Sequence, residues 1–182
     1  MLKVRFRRMR VPIAVLLLAL AALPARAEIA GEAWAIAGDT LVVGEQLVRL
    51  TGVDAPEPEQ TCGPKESSWP CGDDAMKALD ALVKGREVAC TDVTRISDFT
   101  VSAHCTIDGQ DVGSAMLEQG LAVNRAGAGT AYDEAQAAAQ AQGAGIWGGP
   151  FMDPEAWRKV HDCSCTARHK AYQDLRASTL SQ

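Results

Sequence analysis

The stretch Ile36–Gln60, IAGDTLVVGEQLVRLTGVDAPEPEQ, is the most restrictive segment of the chain. Two short apolar runs meet at Gly44-Glu45, so the chain must reverse there as an antiparallel hairpin. After Val53 the prolines at 56, 58 and 64 remove backbone donors, and the strand cannot continue into that loop. An all-helical fold is therefore excluded. Asp39, Arg49, Asp54 and Glu57 fall within nineteen positions of this segment. Asp39 in a Gly-Asp turn has a bland explanation as turn chemistry. Arg49 alternates with Val48 and Leu50 on a strand, whereas Asp54 and Glu57 sit in the loop that follows it, where functional groups are commonly displayed.

The N-terminus reads as a leader. Lys3, Arg5, Arg7, Arg8 and Arg10 precede an apolar run, Val11–Leu23, that is short for a membrane span, and Ala25-Arg26-Ala27 has the form of a cleavage site. The reading is a signal peptide over residues 1–27, with an uncleaved anchor as its alternative. The mature chain is then expected in the periplasm or secreted, with no membrane attachment. Without the leader, twelve Lys and Arg face twenty-three Asp and Glu, a formal net charge of −11 with His neutral. Such a chain repels polyanions at long range, so any nucleic-acid surface must be a local basic cleft.

Six cysteines in an exported chain imply disulfides, and fifteen pairings of six are allowed. Cys62 and Cys71 bracket a short loop, while Cys90 and Cys105 lie in two strand-like runs able to be neighbours; these are the preferred pairs. Cys163 and Cys165 are too close in sequence to bridge each other without strain. Together with His161 and His169 they form a soft-ligand cluster that matches no standard zinc spacing. A disulfide elsewhere, or to a partner protein through this C-terminal extension, is the simpler reading.

Strand patterns cover Gly31–Val43, bent at Ala37-Gly38-Asp39, and then Leu47–Val53. Asp73–Lys84 has apolar residues at spacings of three and four and stops at Gly85, as an amphipathic helix does. Glu87–Val93 and Val101–Ile107 read as strands. Asp111 caps a helix over Val112–Gln119, and Ala131–Gln142 is a helix closed by Gly143 and Gly145. Five strands interrupted by one helix after the third suit a small Greek-key barrel with packed helices, of α+β or mainly β class. Gly149-Pro150 and Pro154 mark the end of the compact unit, with a short helix expected beyond.

Taken in order, GDTLVVGEQLVRLTGVDAPEPEQTC, WPCG, ALDALVKG, DVGSAMLEQGLAV and GIWGG resemble the thermonuclease, or staphylococcal nuclease-like, family in its exported bacterial form. The likeness runs from about Gly31 to Phe151. It implies a domain over residues 28–152, a five-stranded OB-fold barrel with about three helices, and an extension over 153–182. It also implies Ca2+-dependent hydrolysis of phosphodiester bonds in DNA and RNA; the partner expected of an active enzyme is single-stranded DNA or RNA, and the chain is expected to be a monomer. Carried over residue by residue, Asp39 and Asp54 match the metal carboxylates, with a carbonyl near Ala55 and waters completing the shell. Glu57 matches the carboxylate that positions or deprotonates the attacking water, and Arg49 matches the first of two arginines that clamp the phosphate.

The second arginine is missing. Aligned through Ala103-x-Cys105, Thr100 stands in its place, and Asp98 adds a negative charge nearby. Losing a preorganised donor to a developing oxyanion costs about 100- to 1000-fold. Ala37 replaces another family aspartate, and Asn124 stands near a position where an aromatic residue is usual. Arg95 and Arg125 are the candidate compensating residues. Two functions follow: a nuclease weakened at Thr100, or an inactive homologue serving as a binding or regulatory module.

Overall fold

The computed structural model describes residues 29–125 and 127–161. The expected leader, Cys163, Cys165 and His169 lie outside the described residues.

β1 (Ile29–Ala37) pairs antiparallel with β2 (Thr40–Val43), and β2 turns at Gly44-Glu45 into β3 (Gln46–Leu50). The register aligns Thr40 with Arg49 and Val43 with Gln46, a two-residue hairpin whose Gly44 has φ of 59°. On its other edge β1 pairs with β5 (Glu87–Arg95), and β5 with β6 (Thr100–Ile107). The barrel closes where β6 runs parallel to β3, from Leu47–Thr100 to Leu50–Ala103. The result is the expected five-stranded α+β barrel, accompanied by α1 (Cys71–Val83), α2 (Val112–Glu118), α3 (Thr130–Gln142) and α4 (Pro154–Val160).

Alternation along the strands decides what enters the core. Leu41, Val43, Val48 and Leu50 point inward and meet Val88, Ala103, Leu79, Met116 and Leu117. Val42 and Leu47, on the opposite face, pack with Trp34 and Ile36 in a separate small cluster. α1 lays Ala75, Leu79 and Val83, one residue per turn, against the barrel. It begins at Cys71, two positions before the expected Asp73, because Pro70 serves as N-cap and the Asp74 amide already donates to the Pro70 carbonyl at 3.0 Å. Both preferred disulfides are present. Cys90 and Cys105 are direct cross-strand partners, and Cys62–Cys71 ties the proline loop to the first turn of α1.

One expected strand is broken. The run Leu47–Val53 splits at Thr51-Gly52, where the Thr51 amide makes the last β3–β6 bond, to the Ala103 carbonyl at 2.9 Å, and Gly52 then turns the chain with φ of 80°. A side chain at Gly52 would lie 2.6 Å from the Ala128 Cβ. Beyond the break a two-residue strand, β4 (Val53–Asp54), pairs instead with β8 (Val123–Asn124). This change of partner brings Asp54 to the segment that carries Arg125. β7 (Gln110–Asp111) pairs with β6 and leads straight into α2, whose N-cap Asp111 accepts from the Ser114 amide at 2.7 Å.

The four tryptophans have packing roles where they are described. Trp69 and Trp147 surround the Cys62–Cys71 bridge with Ile146 and Phe151, and Trp157 stacks on His161 with ring centroids 4.1 Å apart.

Candidate active site

Asp39 lies in the tight turn between β1 and β2 and is fully buried. Its Oδ1 accepts from the Thr40 hydroxyl at 2.7 Å, while its own carbonyl accepts from the Leu50 amide at 2.9 Å. The turn packs closely on α1: a side chain at Gly38 would lie 2.6 Å from the Ala55 Cβ and 2.7 Å from the Ala75 Cβ. Arg49 stands across the hairpin from Thr40, and one of its terminal nitrogens, Nη2, reaches both Asp39 Oδ2 at 3.1 Å and Asp54 Oδ1 at 3.0 Å.

Asp54, also buried, is the hub. Besides Arg49 it accepts from Arg158 in a fork, Nη1 to Oδ1 at 2.9 Å and Nη2 to Oδ2 at 2.6 Å. Arg125 approaches the same Oδ2 through Nε at 3.1 Å and through Nη2. Burial pushes the Asp54 carboxyl pKa up, but hydrogen bonds from Arg158 and Arg125, with the charge of Arg49 beyond, outweigh it and hold the group down at about 2. The same contacts raise the Arg158 guanidinium pKa, and Arg125 is raised by its bonds to Asp54 and Asp153 against the cost of burial. Asp54 is therefore a carboxylate at neutral pH, with three arginines around it.

Glu57 is buried in the proline loop, and its Oε1 accepts from Arg158 Nη1 at 2.7 Å. Two features hold that loop in place. A side chain at Gly72 would come within 1.6 Å of the Glu57 carbonyl oxygen, so the first turn of α1 rests directly on the loop backbone. Gln60, fully buried, accepts from the Glu57 amide at 3.2 Å and donates to the Met152 carbonyl at 2.6 Å, joining the loop to the segment before α4.

The structure thus gathers Asp39, Arg49, Asp54, Glu57 and Arg125, and leaves Arg95 outside. Arg95 is exposed on β5 opposite Val101. Thr100 opens β6 beside Leu47, with its amide accepted by the Ser97 hydroxyl at 3.2 Å. Asn124 is turned to α3, donating to Asp133 at 2.6 Å through its side chain and to Gln136 at 2.7 Å through its backbone.

Sequence reasoning missed Arg158, Gln60 and Asp153. Pro154 reads along the sequence as the end of the compact unit, whereas in the structure it is the first residue of α4. Asp153 caps that helix, accepting from the Glu155 and Ala156 amides at 2.9 and 3.2 Å, and its second oxygen accepts from Arg125 Nη1 at 3.1 Å. The signal was present in Asp-Pro-Glu, a capping residue followed by Pro at the first helical position and an acid in the first turn. Gln60 had no comparable signature, since a neutral side chain in a loop carries no pattern of its own.

Asp39 and Asp54 offer oxygen donors of the kind a hard cation takes, and their common contact with one Arg49 nitrogen puts them within reach of one small ion. Among the described residues no group of three or more Asp, Glu, His or Cys forms a metal cage. A cation held by Asp39 and Asp54 would have to complete its shell with water and backbone carbonyls, and would compete with Arg49 for both carboxylates.

Comparisons with known proteins agree with this architecture. The chain is 36% identical over 123 residues to the succinoglycan biosynthesis protein ExoI of Rhizobium meliloti (strain 1021), covering 65% of this chain and 64% of that relative's length. Residues 47–149 match the family described as staphylococcal nuclease homologue, a span that takes in the closing strands of the barrel, α1 to α3, and Arg49, Asp54, Glu57 and Arg125. With more than half its length in that match, the chain belongs to the staphylococcal nuclease family.

Proposed function

We propose that this protein is an exported, calcium-dependent phosphodiesterase acting on single-stranded DNA or RNA. The observation that carries the reading is that the β1–β2 turn, β3, β4 and the proline loop link two buried aspartates and a buried glutamate through arginines, Arg49 joining Asp39 to Asp54 and Arg158 joining Asp54 to Glu57. Asp39 and Asp54 would hold calcium, which when bound supplies positive charge to the phosphate oxygens. Glu57 would take a proton from the attacking water as its oxygen bonds to phosphorus, and the displaced alkoxide oxygen would leave with a proton from solvent. Arg49 would stabilise charge developing on the non-bridging oxygens with a planar pair of donors.

The acidic chain requires local positive charge where a phosphate is to bind. Arg49, Arg125 and Arg158 offset all but one of the four negative charges of Asp39, Asp54, Glu57 and Asp153, and a bound divalent cation would turn the cluster net positive toward a phosphate. The test is digestion of single-stranded DNA by the purified mature chain, with Glu57→Ala and Thr100→Arg alongside. Cleavage should require calcium, stop with a chelator, and fall by about 100-fold or more in Glu57→Ala. If neither the natural chain nor Thr100→Arg cuts, the nuclease reading is lost and a binding module takes its place.

A further inference from the structure

The resemblance aligns Thr100 with the second phosphate-clamping arginine, and Arg95 is exposed on β5 opposite Val101. Three guanidinium groups nevertheless meet at Asp54, and one of them comes from α4, beyond the barrel. We propose that Arg158 is a phosphate-binding catalytic residue of this site, a second clamp supplied by the C-terminal helix in place of the β5–β6 turn. The proposal rests on the phosphodiesterase reading above.

Position is the first argument. Arg158 bridges Asp54 and Glu57, with contacts of 2.6 to 2.9 Å. A phosphate attacked by water from Glu57 while facing a cation on Asp54 must lie in the space these two carboxylates border. A guanidinium in contact with both is within reach of its non-bridging oxygens. Three of the five N–H donors of Arg158 serve the carboxylates, and 24% of the side chain is exposed, so the fork has donors and an open edge for an incoming anion.

Anchoring is the second. α4 is fastened on both sides of the site: Gln60 holds the Met152 carbonyl next to the Glu57 loop, and Asp153 caps the helix while gripping Arg125. Pro154 is buried at the first helical position. An incidental surface ion pair, such as Lys159 with Glu155 on the same helix, has no such framework. Charge is the third. Asp54 and Glu57 alone would repel a phosphate, and the Arg158 cation between them offsets that repulsion.

The experiment uses the full mature chain with calcium, comparing Arg158→Ala, Arg158→Lys, Lys159→Ala and the double variant Arg158→Ala/Thr100→Arg, each checked for a cooperative thermal transition. Arg158→Ala should lower kcat about 100- to 1000-fold. Arg158→Lys, which keeps the charge but not the fork, should recover part of it. Lys159→Ala should match the natural chain, and Thr100→Arg should restore Arg158→Ala by about tenfold or more. Binding gives a readout independent of turnover. In a Glu57→Gln background, a dinucleotide with one phosphodiester link should bind about tenfold more weakly when Arg158 is Ala, while its uncharged methylphosphonate analogue should be unaffected. Equal or faster cleavage by Arg158→Ala, or equal weakening of both dinucleotides, would overturn the proposal. If the natural chain does not cut but the selective loss of phosphodiester binding persists, the nuclease reading fails and the clamp stands.

Discussion

Replacing Asp54 by Asn tests whether the arginine cluster is held together by one carboxylate. Asp54 is buried and accepts from Arg49, Arg125 and Arg158 together. Its pKa falls from 3.8 to about 2 in the folded chain, which corresponds to about 2 kcal/mol of stability. Because the folded pKa is depressed, that contribution is complete above about pH 3.8 and is lost as pH falls through about 2. Asn removes the charge and also turns an N–H donor toward guanidinium donors, so the total loss should reach the 3–5 kcal/mol typical of a broken buried pair. Urea denaturation of the calcium-free, disulfide-intact protein measures it. The gap between natural chain and variant should narrow by about 1 kcal/mol between pH 7 and pH 3, where roughly half of the pKa-linked term remains. A loss below about 1 kcal/mol at neutral pH, or a gap that does not change with pH, would refute the view that Asp54 anchors the cluster.

Other perturbations probe the surrounding frame. The Tyr132 hydroxyl donates to Asp111 at 2.7 Å, and burial, reinforced by that carboxylate, raises its pKa above the ordinary 10. Its folded pKa being raised, the stability it contributes is present below about pH 10 and is lost as pH rises further; Tyr132→Phe should cost about 1 kcal/mol at neutral pH and flatten the alkaline loss, as read by chemical denaturation at pH 8 to 11. Gly72→Ala places a Cβ where the Glu57 carbonyl oxygen now lies, so the loop must move. It should cost about 1–3 kcal/mol in thermal melts and lower calcium-dependent cleavage more than it weakens nucleotide binding.

Much of the barrel was legible because its determinants are local. The Gly44-Glu45 reversal, the alternation of Val48 and Leu50 about Arg49, and the pattern of α1 each lie within a few residues, where turn chemistry and side-chain periodicity act directly. The cross-strand Cys90–Cys105 pair followed from two strand-like runs. The break at Gly52 was less visible. Thr51-Gly52-Val53 continues the alternation, and only the contact of Gly52 with Ala128 and the pairing of Val53 with Asn124 redirect it.

By itself, then, the sequence pointed to a hairpin-led barrel, to Cys62–Cys71 and Cys90–Cys105 as the preferred pairs, to its family, and to a short run of charged residues worth inspecting. The tertiary structure decided which charges meet. It brought Arg125 rather than Arg95 to Asp54, and it carried Arg158 there across 104 positions of chain on a helix placed by Asp153 and Gln60. The physical reason is range. Turns and periodicity are properties of neighbouring residues, whereas the partner of a buried carboxylate is whichever cation the finished packing leaves within about 3 Å, and no local pattern encodes that distance.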